Sequence, residues 1–90
     1  MIFEWDESKR IKTLETRGLD FADADLFFDG RPIISLPSQR GDELRWKTTA
    51  MIGGAYHTLV WAWRGKAVRV ISMRRAHGDE EKGHRAIHER

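Results

Sequence analysis

The apolar positions of this chain follow two rhythms. Between residues 43 and 74, the segments ELRWKTTAMI, AYHTLVWAW and AVRVISMR alternate or run apolar in β-forming residues, as strands do. Gly53-Gly54 separates the first two and Gly65-Lys66 the second from the third. Two-residue connections carrying glycine mark hairpins, because primed turns need positive φ. With both loops taken as two-residue turns, register follows by counting. Ile52 then faces Ala55, Ala50 faces His57, Trp46 faces Trp61 and Leu44 faces Trp63. Across the second turn Arg64 faces Ala67, Ala62 faces Arg69 and Val60 faces Ile71. One face of the sheet collects Leu44, Trp46, Ile52, Leu59, Trp61, Trp63, Val68 and Val70. The other collects Glu43, Arg45, Lys47, Arg64 and Arg69, with small Ala62 between Arg45 and Arg69.

The first half of the chain has helical spacing. Met1 to Trp5 reads as a short strand or extended lead-in. Asp6 is suited to cap the helix ESKRIKTLETR and Gly18 to end it, with Ile11 and Leu14 as a narrow apolar stripe. Asp20 caps a second helix, FADADLFFD, whose Phe21, Ala22, Leu26 and Phe28 are expected on the sheet. GRPIISLPSQRGDE, punctuated by Pro32, Pro37 and Gly41, reads as a loop or edge segment. After the strands, Gly78 and Asp79 open DEEKGHRAIHER, a helix polar nearly all round that would dock on a partner or fray. The reading is an α+β domain spanning residues 1–90, order β-α-α-β-β-β-α. Its antiparallel sheet carries helices on one face, the oily one, leaving the basic face open.

Charge sharpens this picture. Residues 1–39 hold five Lys/Arg against eight Asp/Glu, whereas residues 40–90 hold eleven against six and all four histidines. A basic working surface on an acidic support follows. There is no cysteine, so disulfides and thiolate metal sites are excluded. No apolar run is long enough for a membrane span, and MIFEWDE is not a signal peptide, so a cytoplasmic location without membrane contact is expected.

Two guanidinium groups around an alanine repel each other unless an anion or an acid sits between them. Arginine's planar fork matches phosphate, so Arg45 and Arg69 are candidate phosphate ligands. RNA cleavage without a metal needs a base for the 2′-hydroxyl, a stabiliser for phosphorane charge and an acid for the leaving 5′-oxygen. Glu43 is a candidate base, with the alternative that it is an ion-pair partner of Arg64. Lys47 shares their face. His84 and His88, four apart, have zinc-compatible spacing but no third ligand, and His84 is a candidate proton donor. Trp46, Trp61 and Trp63 share the parity of Leu59 and Val70, which favours core packing over base stacking.

FEWDESKRIKTLETRGLDFADADLFFDG, then RGDELRW, then VRVISMRRA followed by Glu80, resembles the BrnT family of type II toxins over nearly the whole chain. The resemblance implies a compact RelE-like fold and endoribonuclease activity that arrests growth; cleavage is expected to be metal-independent, with no cofactor. It also implies a BrnA-type antitoxin, two toxins with two antitoxins, and contact with operator DNA only through the antitoxin. The family's charged positions fall on Glu43, Arg45, Arg69, Arg74 and Arg75. Glu43, Arg45 and Arg69 with Lys47 and His84 are the expected catalytic set, and Arg64, Arg74 and Arg75 the RNA-binding set. His84 stands where the family commonly has an aromatic, as a substitute acid, and HGDEEKGH is more acidic than the usual segment there. The alternative is a non-catalytic module kept for antitoxin binding and promoter autoregulation.

Overall fold

The computed structural model describes residues 1–89. In chain order the elements are β1 (Ile2–Glu4), α1 (Glu7–Arg17), a 3₁₀ helix (Phe21–Phe28), β2 (Ile33–Arg40), β3 (Glu43–Ile52), β4 (Ala55–Arg64), β5 (Ala67–Arg75) and α2 (Gly78–His88). The strands form one sheet in the order β1-β5-β4-β3-β2. All neighbours are antiparallel except β1, which runs parallel to β5. The α+β class stands, and the sheet is mixed rather than purely antiparallel.

The two hairpins are the most direct translation of sequence into structure. Gly53 and Gly54 both have positive φ, 60° and 83°, as a type I′ turn demands. Only Gly65 is positive in the Gly65-Lys66 connection, the pattern of a II′ turn. Ile52 pairs with Ala55, Ala50 with His57, and Trp46 with Trp61, as counted. Arg64 pairs with Ala67 and Ala62 with Arg69. Val60, however, pairs with Ser72 and not Ile71, because a bulge interrupts the ladder between Val60 and Trp61. The extra residue inverts the parity of the end of β5: Met73 turns into the core and Arg74 to the opposite face.

β2 is an added strand where a loop or edge segment was expected. It pairs with β3 from Ile33↔Ala50 to Arg40↔Glu43, closed by Gly41-Asp42 with Gly41 at φ 59°. Pro37 is tolerated because β2 is the sheet's edge.

The core lies on the oily face. Ala50, Leu59, Trp61, Val68, Val70 and Met73 are buried against Phe21, Ala24 and Phe27. The buried positions of the 21–28 segment are three apart, not at the α-helical spacing read from the sequence, because a 3₁₀ helix has three residues per turn. Ala22 is accordingly exposed and Leu26 half-buried, while Phe28 meets Trp61 edge-on at 5.2 Å. Trp61 donates from Nε1 to the Thr48 hydroxyl at 2.8 Å, which satisfies its one polar atom. α1 has the caps expected, Asp6 accepting from the Ser8 and Lys9 N–H groups and Gly18 left-handed at φ 68°. It buries no residue, and Ile11 and Leu14 remain exposed.

The helices do not share one face. Tyr56 and Thr58 alternate with buried Leu59, so they point away from the oily side, and α2 packs there through His84 on Tyr56 and Glu80 on Thr58. Gly83 faces Ile34 there, and a Cβ on it would lie at an ordinary 3.6 Å. Neither fraying nor a partner is needed: polar contacts hold this helix to its own sheet. Among the described residues no helix is long and apolar enough to cross a membrane.

Candidate nucleic-acid interface

Register arranges the side of the sheet opposite the core into rows across the strands. Ser38, Arg45, Ala62, Arg69 and Glu4 form the first row. Leu36, Lys47, Val60 and Ser72 form the second, and Ile34, Thr49, Thr58 and Arg74 the third. α2 covers the third row and leaves the first two open. Arg45 and Arg69 therefore do point to one side, and Ala62 between them is small enough to leave both guanidinium groups accessible, about a third of each side chain being exposed. With strands about 4.8 Å apart, their Cα atoms are separated by roughly 10 Å.

Each of these cations meets a different acid. Arg45 donates from Nε to Glu43 Oε1 at 2.8 Å, and Arg64 reaches Glu43 Oε2 at 2.9 Å. The hydrogen bond from Arg45, with Arg64 behind it, holds the Glu43 carboxyl below its ordinary range. A carboxylate clamped by two arginines is a poor proton acceptor, so Glu43 is placed as the group that orients Arg45 and Arg64. Arg69 lies 3.9 Å from Glu4 on β1, a looser pair. Lys47 has no acidic partner among the described residues.

Lys47, Arg45 and Arg40 line a shallow cavity of about 460 Å³ with Ser38, Val60, Ser72, Arg74 and His77. An adjoining cavity of about 240 Å³ shares Ser38, Lys47 and His77 and runs to the N-terminus of α2. Arg69 lines neither and sits beyond Ala62 along the first row.

Glu80 is the rivet that sets this groove's far wall. Arg74 grips it bidentately at 2.7 and 3.0 Å, Thr58 donates to it at 3.0 Å, and the His77 N–H donates at 2.7 Å. Burial alone would raise the Glu80 carboxyl, but the Arg74, His77 and Thr58 hydrogen bonds outweigh it and bring it down to about 2. Arg74 thus faces the groove with its charge already matched.

Two expected residues fall elsewhere. His84 is 5 % exposed beneath α2, its Nε2 donating to the Pro32 carbonyl at 3.0 Å and its ring against Tyr56. It cannot serve an RNA strand in the groove as an acid, because α2 turns its Glu80–Gly83–His84 side inward. His88 likewise binds the Ile33 carbonyl at 2.8 Å, so the pair clamps α2 to the sheet's edge. Arg75 pairs with His57 on the oily side's parity, away from Arg45 and Arg69, because of the β5 bulge. Arg64 keeps the basic face but is tied to Glu43.

The residue missed from sequence is His77. Its imidazole is well exposed, lines both cavities and stands across from Lys47. The available signal was position: it is the residue between a cationic strand and the Gly78-Asp79 start of a helix. Among the described residues no group of three or more His, Asp or Glu side chains is placed to hold a metal.

No curated protein matches the chain. Residues 5–80 match the family described as "Ribonuclease toxin, BrnT, of type II toxin-antitoxin system", which covers far more than half of the chain. Strands β2 to β5, which bear the arginines and lysine of the charged rows, all lie inside that span. This chain belongs to the BrnT family of ribonuclease toxins of type II toxin-antitoxin systems.

Proposed function

We propose that this protein is an endoribonuclease toxin that cleaves single-stranded RNA on the open basic face without a metal ion. The observation that carries the reading is the convergence in one groove of Arg45, Lys47 and Arg74 with the exposed imidazole of His77. Arg45, oriented by Glu43, grips the scissile phosphate, and Arg69 holds the same strand one sheet position further on. Arg64, tied to Glu43, and Arg74, matched by Glu80, frame the strand's path beside them. His77 takes the proton of the 2′-hydroxyl, whose oxygen attacks phosphorus. Lys47 gives a proton to the departing 5′-oxygen. The bond to that oxygen breaks, leaving a 2′,3′-cyclic phosphate and a 5′-hydroxyl. A preformed cluster of donors supports this because charge stabilisation needs no rearrangement during reaction.

Type II membership supplies the rest of the setting: an antitoxin binds and silences the toxin. We take that partner to be a BrnA-type protein, in a complex of two toxins with two antitoxins that contacts operator DNA through the antitoxin in the cytoplasm. The test incubates purified antitoxin-free protein with RNA in excess chelator and maps the ends. Cyclic phosphate termini that disappear in Arg45→Ala support the reading. Intact RNA, with tight antitoxin binding retained, would replace it by a non-catalytic module for promoter control. In cells, a folded Arg69→Ala variant that stays as toxic as the parent would remove Arg69 from the site.

A further inference from the structure

α1 lies at the surface with both its sides in water. Ile11 and Leu14 are exposed on one side, and on the other Lys9, Lys12, Thr16 and Arg17 are exposed and Thr13 half-buried along a shallow depression. These five residues share one side of the helix by their three- and four-residue spacing. They line a cavity of about 280 Å³ whose other wall is Ile71 and Ser72, the bulged residues of β5. Ile71 and Ser72 also line the 460 Å³ groove of Arg45 and Lys47, so the two depressions share a wall at the bulge.

Charge makes the second depression informative. No acidic residue lines it. Glu7 is turned to the other side of α1 and bound to Arg10 at 2.9 Å. Among the described residues neither Lys9 nor Lys12 has an acidic partner. Arg17 donates to the Met73 carbonyl at 2.9 Å, which pins the helix to β5 and keeps the cavity's shape. β1 leaves this part of β5 uncovered, since it pairs only with Ala67, Val68 and Arg69.

We propose that an RNA strand leaving the basic face crosses the bulge at Ile71–Ser72 and continues along α1, where Lys9 and Lys12 bind backbone phosphates. The inference rests on the reading of the basic face as an RNA site and extends the footprint by a sequence-independent track. Thr13 and Ser72 supply hydroxyl donors along it.

The test uses the free protein and fluorescein-labelled, 2′-O-methylated single-stranded RNAs of about 20 and about 6 nucleotides, so that binding is read without cleavage. Each phosphate contact on a single strand adds about −0.7 to the slope of log affinity against log salt. Lys9→Ala with Lys12→Ala should therefore flatten the slope for the long RNA by about 1.4. That makes its loss of affinity between about 50 and 200 mM salt roughly sevenfold smaller. Binding of the short RNA should be unchanged, and Lys9→Arg with Lys12→Arg should keep the parental slope. Unchanged long-RNA binding in the alanine variant, while Arg45→Ala weakens both RNAs, would overturn the α1 track and leave the RNA site standing. So would an alanine variant that weakens only the antitoxin complex, which would make this a protein contact. A parental protein that binds neither RNA would remove both.

Discussion

The two faces of the sheet are built by different physics. On the oily face, aromatic and aliphatic side chains from β3, β4, β5 and the 3₁₀ helix exclude water, and contact area decides what packs where. On the basic face, α2 rests its His84 ring on Tyr56 and is held by Glu80, Thr58, Arg74 and two histidine-to-carbonyl bonds. The first arrangement tolerates some rearrangement and costs nothing in charge. The second depends on buried polar groups finding partners, as Glu80 and His84 Nε2 do and His84 Nδ1 does not, and it leaves Lys47 at the boundary with no acidic partner among the described residues. A surface assembled this way is firm at one end and electrostatically unsatisfied at the other, which suits binding of a polyanion.

The largest effect should come from opening the oily face. Leu59, fully buried at the centre of β4, should cost about 3–4 kcal/mol when replaced by alanine, measured by urea unfolding. Next, on the basic face, His77→Ala should lower RNA cleavage about 10²-fold without moving the melting temperature, an effect of about 3 kcal/mol on the barrier. Unchanged cleavage would show that the groove moves protons some other way.

Glu80→Gln should cost about 2 kcal/mol, because Arg74 would lose its charge partner beside a carboxamide. The pH dependence has a definite sign. Glu80 titrates at about 2 in the folded state, below the unfolded value of about 4.3, so its contribution is full above that unfolded value. It is lost as pH falls through the folded value, and Glu80→Gln should flatten the stability profile between about pH 4 and 2. The smallest effect is a gain: Gly83→Ala places its methyl at an ordinary 3.6 Å from Ile34 and should stabilise α2 by up to about 1 kcal/mol. A loss instead would mean that α2 packs closer to β2 than this contact allows.

The same division explains what was legible beforehand. Gly53-Gly54 and Gly65-Lys66 carry local turn chemistry, so both hairpins, the Trp46–Trp61 pair and the common side of Arg45 and Arg69 could be counted out from sequence. Gly41-Asp42 carried the same signal, but Pro32 and Pro37 obscured β2, an edge strand where proline does little harm. The 3₁₀ winding of residues 21–28 was not visible, because FADADLFF has apolar residues enough to suit either period. His84 was misplaced and His77 overlooked for one reason: the docking of α2 depends on partners 22 to 55 residues away.

By itself, then, the sequence determined the turns, the helix caps, the strand registers up to the bulge and the split between an apolar and a cationic side. All of these depend on neighbours a few residues apart along the chain or directly across a tight turn. Tertiary structure decided which face α2 covers, and that Arg75 leaves the basic face while Arg74 joins it. Each of those outcomes turns on one inserted residue or one distant hydrogen bond, and a pattern of apolar and polar positions contains no record of either.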